Sequence, residues 1–256
     1  MHNGMLEKLR ASRNVVGTFF ESGSMAVAEI LGLAGLDYIL IDTEHAPYTL
    51  QEVSRFITAA EVRGVTPMVR VKDTARSTIL RTLDIGAKGL VIPAIKTVEE
   101  VEKVLEYAKY YPAGQRGAYF PRASDFGMKG QLADIEAHFI NTNNQLVILP
   151  QCETRESVDC IDEIVALDGV DGVFIGPYDL SIALGKPAAF TDPAVAGAFD
   201  KALAACKKHD KYCFTYAPNT QTARGYFDKG YRGACISSDT IEIGKAYAQM
   251  VGEFLK

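Results

Sequence analysis

The sequence predicts an α/β fold and, within that class, a (β/α)8 barrel. Three observations carry the prediction. Short β-rich apolar runs alternate with helical patterns along the chain, eight times over. Those runs are continuously apolar, as parallel strands covered on both faces are. The length of 256 residues suits one such barrel, so residues 1–256 are expected to form a single domain, with no linker or low-complexity segment. A doubly wound open sheet is the alternative. It usually places a glycine-rich phosphate turn after its first strand, and Phe19-Phe-Glu-Ser-Gly-Ser24 has no such pattern.

The elements follow in order. Residues 15–20 read as the first strand, and Ser24 caps a helix over 25–33. Residues 38–41 form the second strand, ending in Asp42-Thr-Glu-His45. Thr49 opens a helix to residue 61, with Glu52 completing a capping box. A strand over 67–71 precedes a helix over 75–83, and Pro93 closes the fourth strand at 89–92. Apolar positions 98, 101, 104, 105 and 108 then mark a helix over 98–109. The rhythm breaks at residues 112–130, which hold four glycines, two prolines and no period. A loop this long is usually functional. Its stretch Tyr119-Phe-Pro-Arg-Ala-Ser-Asp-Phe126 reads as a lid over the site, with a surface crossing as the alternative. A helix over 132–141, a strand over 146–149 and a helix over 157–166 come next, then a strand over 172–175 and a short helical turn over 179–184. Past a turn-rich link at 187–193, helices over 195–209, 222–229 and 241–255 enclose strands over 212–216 and 233–236.

Composition excludes several classes of function. Net charge is −5 with no Lys/Arg cluster, so nucleic acid is not an expected partner. No apolar run reaches the roughly 18 residues that span a bilayer, and the N-terminus lacks a signal-peptide pattern. The five cysteines are odd in number and lack zinc-type pairing, which predicts reduced thiols and a cytoplasmic protein. Alternation along its strand points Cys152 away from Gln151 and Glu153, into packing.

The polar residues that end the apolar strands are the informative ones. The second strand offers Asp42, Glu44 and His45, the third Arg70, the fifth Gln151 and Glu153, the sixth Asp179. All fall at the strand C-terminal face, where barrel enzymes build their sites. Glu153 and Asp179, with no Cys or His between them, suit a hard divalent cation such as Mg²⁺ or Mn²⁺. Each alone reads equally well as a first-turn helix acid. His45 is placed for proton transfer near neutral pH. Arg70 lies inside an apolar strand and needs an anion, which a carboxylate substrate or an enolate would supply. Asp84 ends a helix, where the macrodipole disfavours it. The backbone after Gly176-Pro177 is either a turn or a carboxylate cradle. These parts suit proton transfer and carbon–carbon bond change beside a carbonyl. Lys72 is the one lysine near a strand end that could support a Schiff base instead.

Six stretches together resemble the HpcH/HpaI aldolase family. They are Asp42-Thr-Glu-His-Ala-Pro47, Pro67-Met-Val-Arg-Val71, Gly86-Ala-Lys-Gly-Leu-Val-Ile-Pro93, Gly114-Gln-Arg-Gly117, Gln151-Cys-Glu153 and Val170-Asp-Gly-Val-Phe-Ile-Gly-Pro-Tyr-Asp-Leu-Ser181. The resemblance covers most of the chain and is weakest beyond about Ala217. It implies a (β/α)8 barrel of the phosphoenolpyruvate/pyruvate superfamily. It also implies a metal-dependent (class II) aldolase that cleaves 4-hydroxy-2-oxo acids to pyruvate and an aldehyde through a metal-stabilised enolate. Carried over, Glu153 and Asp179 are the ligands of a divalent cation (Mg²⁺, Mn²⁺ or Co²⁺), and Gln151 contacts substrate. Arg70 stabilises the enolate, and His45 is the base. Asp84 raises the basicity of His45, and Asp42 orients it. The backbone from Gly176 through Pro177 and Tyr178 to Asp179 holds the carboxylate. Tyr178 departs from the small residue usual between that Pro and Asp, which narrows the pocket or adds a hydroxyl beside the metal. The family is typically hexameric with an exchanged last helix. In agreement, the apolar residues of 241–255 spread beyond one stripe and predict a homo-oligomer. Two readings compete: a related lyase of CoA thioesters (malyl-CoA or citramalyl-CoA type), and a non-catalytic barrel that binds small acids.

Overall fold

A computed structural model describes residues 2–255. Eight parallel strands close into a barrel in sequence order, each bonded to the next and the last to the first. They are β1 (Val15–Phe20), β2 (Tyr38–Asp42), β3 (Thr66–Arg70), β4 (Gly89–Ile92), β5 (Val147–Cys152), β6 (Gly172–Ile175), β7 (Tyr212–Ala217) and β8 (Gly233–Ser238). This is the (β/α)8 barrel that the uninterrupted apolar runs predict. Apart from two half-buried positions in β7 and one each in β1 and β8, the strand residues are buried, because side chains fill the inside and helices cover the outside.

The helices are α1 (Gly4–Arg10), α2 (Met25–Leu33), α3 (Leu50–Val62), α4 (Arg76–Asp84), α5 (Val98–Ala108), α6 (Ile135–Gln145), α7 (Arg155–Asp159), α8 (Ile161–Ala166), α9 (Pro177–Ala183), α10 (Pro193–Lys208), α11 (Thr220–Lys229) and α12 (Asp239–Phe254). The Thr49–Glu52 capping box forms as expected. Sequence reading missed α1. It plugs the barrel at the strand N-terminal end, where Met5, Leu6 and Leu9 join the interior cluster of Tyr38, Leu40, Met68 and Phe214. Asn3 caps that helix and also donates to the carbonyls of Lys88 (3.1 Å) and Gln145 (2.9 Å). The single helix expected over 157–166 is two, α7 and α8, broken at Cys160.

Helices run antiparallel to the strands they follow, so each helix ends beside the N-terminal end of the next strand. That rule relocates the segment between α5 and α6. Arg122 bonds to Glu61 at the end of α3 and to the Ile85 carbonyl beyond α4 (3.4 Å). Arg116 bonds to Asp84 (2.8 Å) and sits over the Tyr110 ring at 4.6 Å. The long loop therefore covers the strand N-terminal end of its own barrel. It is no lid over that barrel's strand C-terminal face, contrary to the expectation.

Candidate active site

Strand register assembles the site. It pairs Asp42 with Arg70 across β2 and β3. It also pairs Gln151 with Phe174 and Cys152 with Ile175, which brings Glu153 beside Gly176. Arg70 is 7% exposed. Its Nε donates to Asp42 Oδ1 (2.9 Å) and its Nη2 to Asp42 Oδ2 (2.7 Å), while Nη1 faces Glu44 Oε2 at 3.2 Å. Burial works against its charge, but the Asp42 hydrogen bonds and the charges of Asp42, Glu44 and Glu153 hold its pKa above the ordinary arginine value. The guanidinium also lies 4.8 Å from the Phe19 ring centroid. Of five N–H donors, those on Nη1 and Nη2 not directed at carboxylates remain for a ligand.

Asp42 accepts from the backbone N–H of Glu44 (3.0 Å) and of His45 (3.5 Å). It thus sets the course of the chain after β2 and holds the backbone at His45. Glu44, half-buried, points back at Arg70. Burial raises its pKa, Arg70 and His45 oppose the shift, and the charges of Asp42 and Asp179 add to it.

Glu153 is 7% exposed. The N–H of Ala94 donates to its Oε1 (2.6 Å), and the Gln151 amide nitrogen donates to its Oε2. Burial pushes its pKa up to about 7. The Ala94 N–H works against that shift, the charges of Glu44 and Asp179 raise it further, and Arg70 again opposes it. The Gln151 carbonyl oxygen is buried without a partner. Gly176 is required beside this pair, since a Cβ there would lie 2.7 Å from Glu153 Oε2 and 3.0 Å from Gln151 Nε2. Pro177 opens α9 at a position suited to proline, and no cap side chain accepts from the first-turn N–H groups. Asp179 lies in that first turn.

A cavity of about 250 Å³ joins these parts, with His45, Arg70, Gln151, Gly176, Tyr178 and Asp179 on its wall. Asp84 is not among them. It ends α4 beside the strand N-terminal end and pairs with Arg116, so one chain does not bring it to His45. Lys72 opens instead into a neighbouring cavity of about 320 Å³ with Thr43, Tyr48 and Arg81, away from Arg70 and Gln151. Cys152 packs outward against α7, α8 and α10, as alternation predicts. The strand-end rule, applied to β1 and β7, would also have found Glu21 and Tyr216, which line the same cavity with Phe19, Phe174, Ser238 and Ile241.

The sequence profile of the HpcH/HpaI aldolase/citrate lyase family matches residues 16–246. The chain belongs to this family. Among its relatives is the 5-keto-4-deoxy-D-glucarate aldolase of Citrobacter koseri, 33% identical over 97% of this chain and 95% of the relative. The 2-keto-3-deoxy-L-rhamnonate aldolase of an Escherichia coli strain is 32% identical over 98% and 93%. Among solved structures, an HpcH/HpaI aldolase from Desulfitobacterium hafniense superposes with a TM-score of 0.92 at 29% identity, covering 99% of this chain and 97% of the other.

As an HpcH/HpaI aldolase the chain is a carbon–carbon lyase that acts on small molecules with a divalent metal cation. Its residues fit such a cation. Glu153 is a buried carboxylate whose charge the site itself does not neutralise, and Glu44 and Asp179 add negative charge around it. Among the described residues no group of three or more His, Cys, Asp or Glu side chains is arranged as a metal cage. A hard cation held by one or two carboxylates, with oxygen ligands from small molecules, suits that donor set. Among the described residues no helix is long and apolar enough to cross a membrane.

Proposed function

We propose that this chain reversibly cleaves 4-hydroxy-2-oxo acids to pyruvate and an aldehyde, with Glu153 and Asp179 holding Mg²⁺, Mn²⁺ or Co²⁺. The observation that carries the reading is one cavity whose wall holds Arg70, with unused donors, and Gln151, itself bonded to the buried Glu153. When bound, the cation supplies Lewis-acid stabilisation of negative charge on the oxo acid. Gln151 and the backbone from Gly176 to Asp179 hold the carboxylate end. His45 takes the proton of the 4-hydroxyl as the bond between C3 and C4 breaks. The electron pair of that bond passes to the C2 oxygen, where the free N–H groups of Arg70 meet it. The aldehyde leaves, His45 returns its proton to C3, and pyruvate results.

Assembly completes the proposal. Along α12 every described side chain after Asp239 is exposed, including Ile243, Tyr247, Met250, Val251 and Phe254. Ile30 and Leu33 of α2 are exposed as well. Apolar surface of this extent on two helices fits a second copy of the chain. We infer a homo-oligomer with α12 exchanged between neighbours, a hexamer by family resemblance. In it, Asp84 serves His45 only across a subunit contact. The five cysteines carry free thiols, which suits the cytoplasm.

The test is a panel of 4-hydroxy-2-oxo acids coupled to pyruvate detection, run before and after metal removal. Cleavage of at least one member, lost with a chelator and restored by Mg²⁺, Mn²⁺ or Co²⁺, is the expected result. Full activity in verified metal-free protein would overturn the assignment of Glu153 and Asp179.

A further inference from the structure

The cavity has two unlike halves. Arg70, Gln151 and Asp179 face one half and account for the oxo-acid end. The other half is aromatic. Phe19 meets Phe174 edge-on at 6.2 Å between ring centroids, and it tilts against Tyr216 at 6.1 Å. Tyr216 in turn lies 6.0 Å from Tyr178, and Tyr178 stands edge-on to Phe190 at 5.1 Å and 87°. These contacts make one continuous band from α9 across the barrel mouth. Ile241 extends it on the α12 side. Tyr178 is still 46% exposed, so its ring retains a face for a ligand.

Charge on this half is of one sign. Glu21 lines the cavity, and its Oε2 accepts from the Thr240 hydroxyl at 3.0 Å. Among the described residues the only lysine or arginine on the cavity wall is Arg70, already bonded to Asp42 and facing Glu44. Within one chain, a second carboxylate or a phosphate at the far end of the substrate would meet Glu21 and, among the described residues of the wall, no lysine or arginine besides Arg70.

We propose that the aldehyde half of the substrate is uncharged and carries an aromatic or broad apolar face, seated against Tyr178 and Tyr216. This rests on the aldolase reading and names the substrate class of that same site. In the synthetic direction, C3 of pyruvate bonds to the aldehyde carbon, and the aldehyde oxygen takes up the proton and becomes the 4-hydroxyl. Aromatic surfaces gain from offset or edge-on contact beyond the area they bury, and Tyr178 and Tyr216 offer such contact.

The experiment uses the metal-loaded full chain and compares aldol addition of pyruvate to benzaldehyde and to succinic semialdehyde. Deuterium uptake at the pyruvate methyl is measured in parallel. Benzaldehyde should give a kcat/KM at least tenfold higher. Tyr178→Ala should reduce that ratio about fivefold, the scale of one aromatic contact, and Tyr178→Phe should restore it by keeping the ring. Glu21→Gln should raise kcat/KM for the semialdehyde alone. Deuterium uptake together with a preference for the semialdehyde, or a ratio indifferent to Tyr178→Ala, overturns the inference and leaves the aldolase reading standing. Failure of uptake with every metal overturns both.

Discussion

Asp42 and Arg70 stand opposite each other in neighbouring strands and share two hydrogen bonds, of 2.9 and 2.7 Å. Both side chains are nearly fully buried. The pair locks the guanidinium plane, so the donors left over point in fixed directions. Arg70→Ala should therefore lower kcat by about a hundredfold, the usual cost of one preorganised donor. Arg70→Lys should recover only part, because an ammonium cannot reproduce the fork. Steady-state kinetics on any cleaved substrate reads both. Near-normal rates in Arg70→Ala would make the residue structural.

The same pair predicts a stability effect. Asp42→Ala leaves a buried cation with Glu44 as its remaining close partner. Loss of one member of such a pair costs roughly 3–5 kcal/mol, and the Glu44 contact should keep the loss near the lower figure. Urea unfolding measures it, and a change under 1 kcal/mol would contradict the account.

Gly176→Ala should weaken metal binding without unfolding the barrel. Its Cβ would lie 2.7 Å from Glu153 Oε2, so the carboxylate must move. Displacing a ligand through its neighbour commonly costs tenfold or more in affinity. Titration calorimetry with Mn²⁺ should show that loss, and circular dichroism should be unchanged. Wild-type affinity would separate Glu153 from the metal.

Stability of the metal-free protein should depend on Glu153 and pH. Burial first, then the charges of Glu44 and Asp179, bring its folded pKa up to about 7, against the Ala94 N–H and Arg70. The unfolded value is about 4.3. Between the two, the folded state holds the extra proton, so stability falls as pH rises and the full penalty stands above pH 7. Glu153→Gln carries no such charge. Its melting temperature should exceed that of metal-free wild type by roughly 2–4 °C at pH 8, with the gap shrinking as pH falls toward 4.5. A gap independent of pH would show that the carboxylate's charge is not the cause.

Truncation after Ser238 removes α12 and should give dissociation or insolubility. Light scattering at micromolar concentration reads the result. A full-length monomer, or a truncated chain that keeps its assembly, would reject helix exchange.

Much of this was legible in the sequence because buried parallel strands write themselves as unbroken apolar runs. The polar residues that end those runs fall on one face by topology alone. Arg70, Gln151 and Asp179 share a cavity for that reason, and Glu153 lies behind its wall, bonded to Gln151. The same topology places Asp84 at the opposite end, since it closes a helix rather than a strand. A helix reading of residues 75–83 already contained that information. The long loop misled because an irregular stretch has no period, so length suggests function without saying which end of the barrel it covers. Three contacts decide its place: Arg116 with Asp84, and Arg122 with Glu61 and with the Ile85 carbonyl. Helix α1 escaped notice because seven residues give too short a pattern, and burial of Met5, Leu6 and Leu9 stabilises it. Glu44 lies between two residues read as functional, and its turn toward Arg70 is a matter of side-chain direction that spacing does not encode.

The central claim is that this site forms a pyruvate enolate with a cation at Glu153 and Asp179. Proton–deuteron exchange at the pyruvate methyl in D₂O, followed by NMR, tests it without any knowledge of the aldehyde. The account predicts exchange that requires Mg²⁺, Mn²⁺ or Co²⁺, stops with a chelator, and is lost in Glu153→Ala and Asp179→Ala. Exchange that proceeds unchanged in chelated protein, or in either variant, would contradict it.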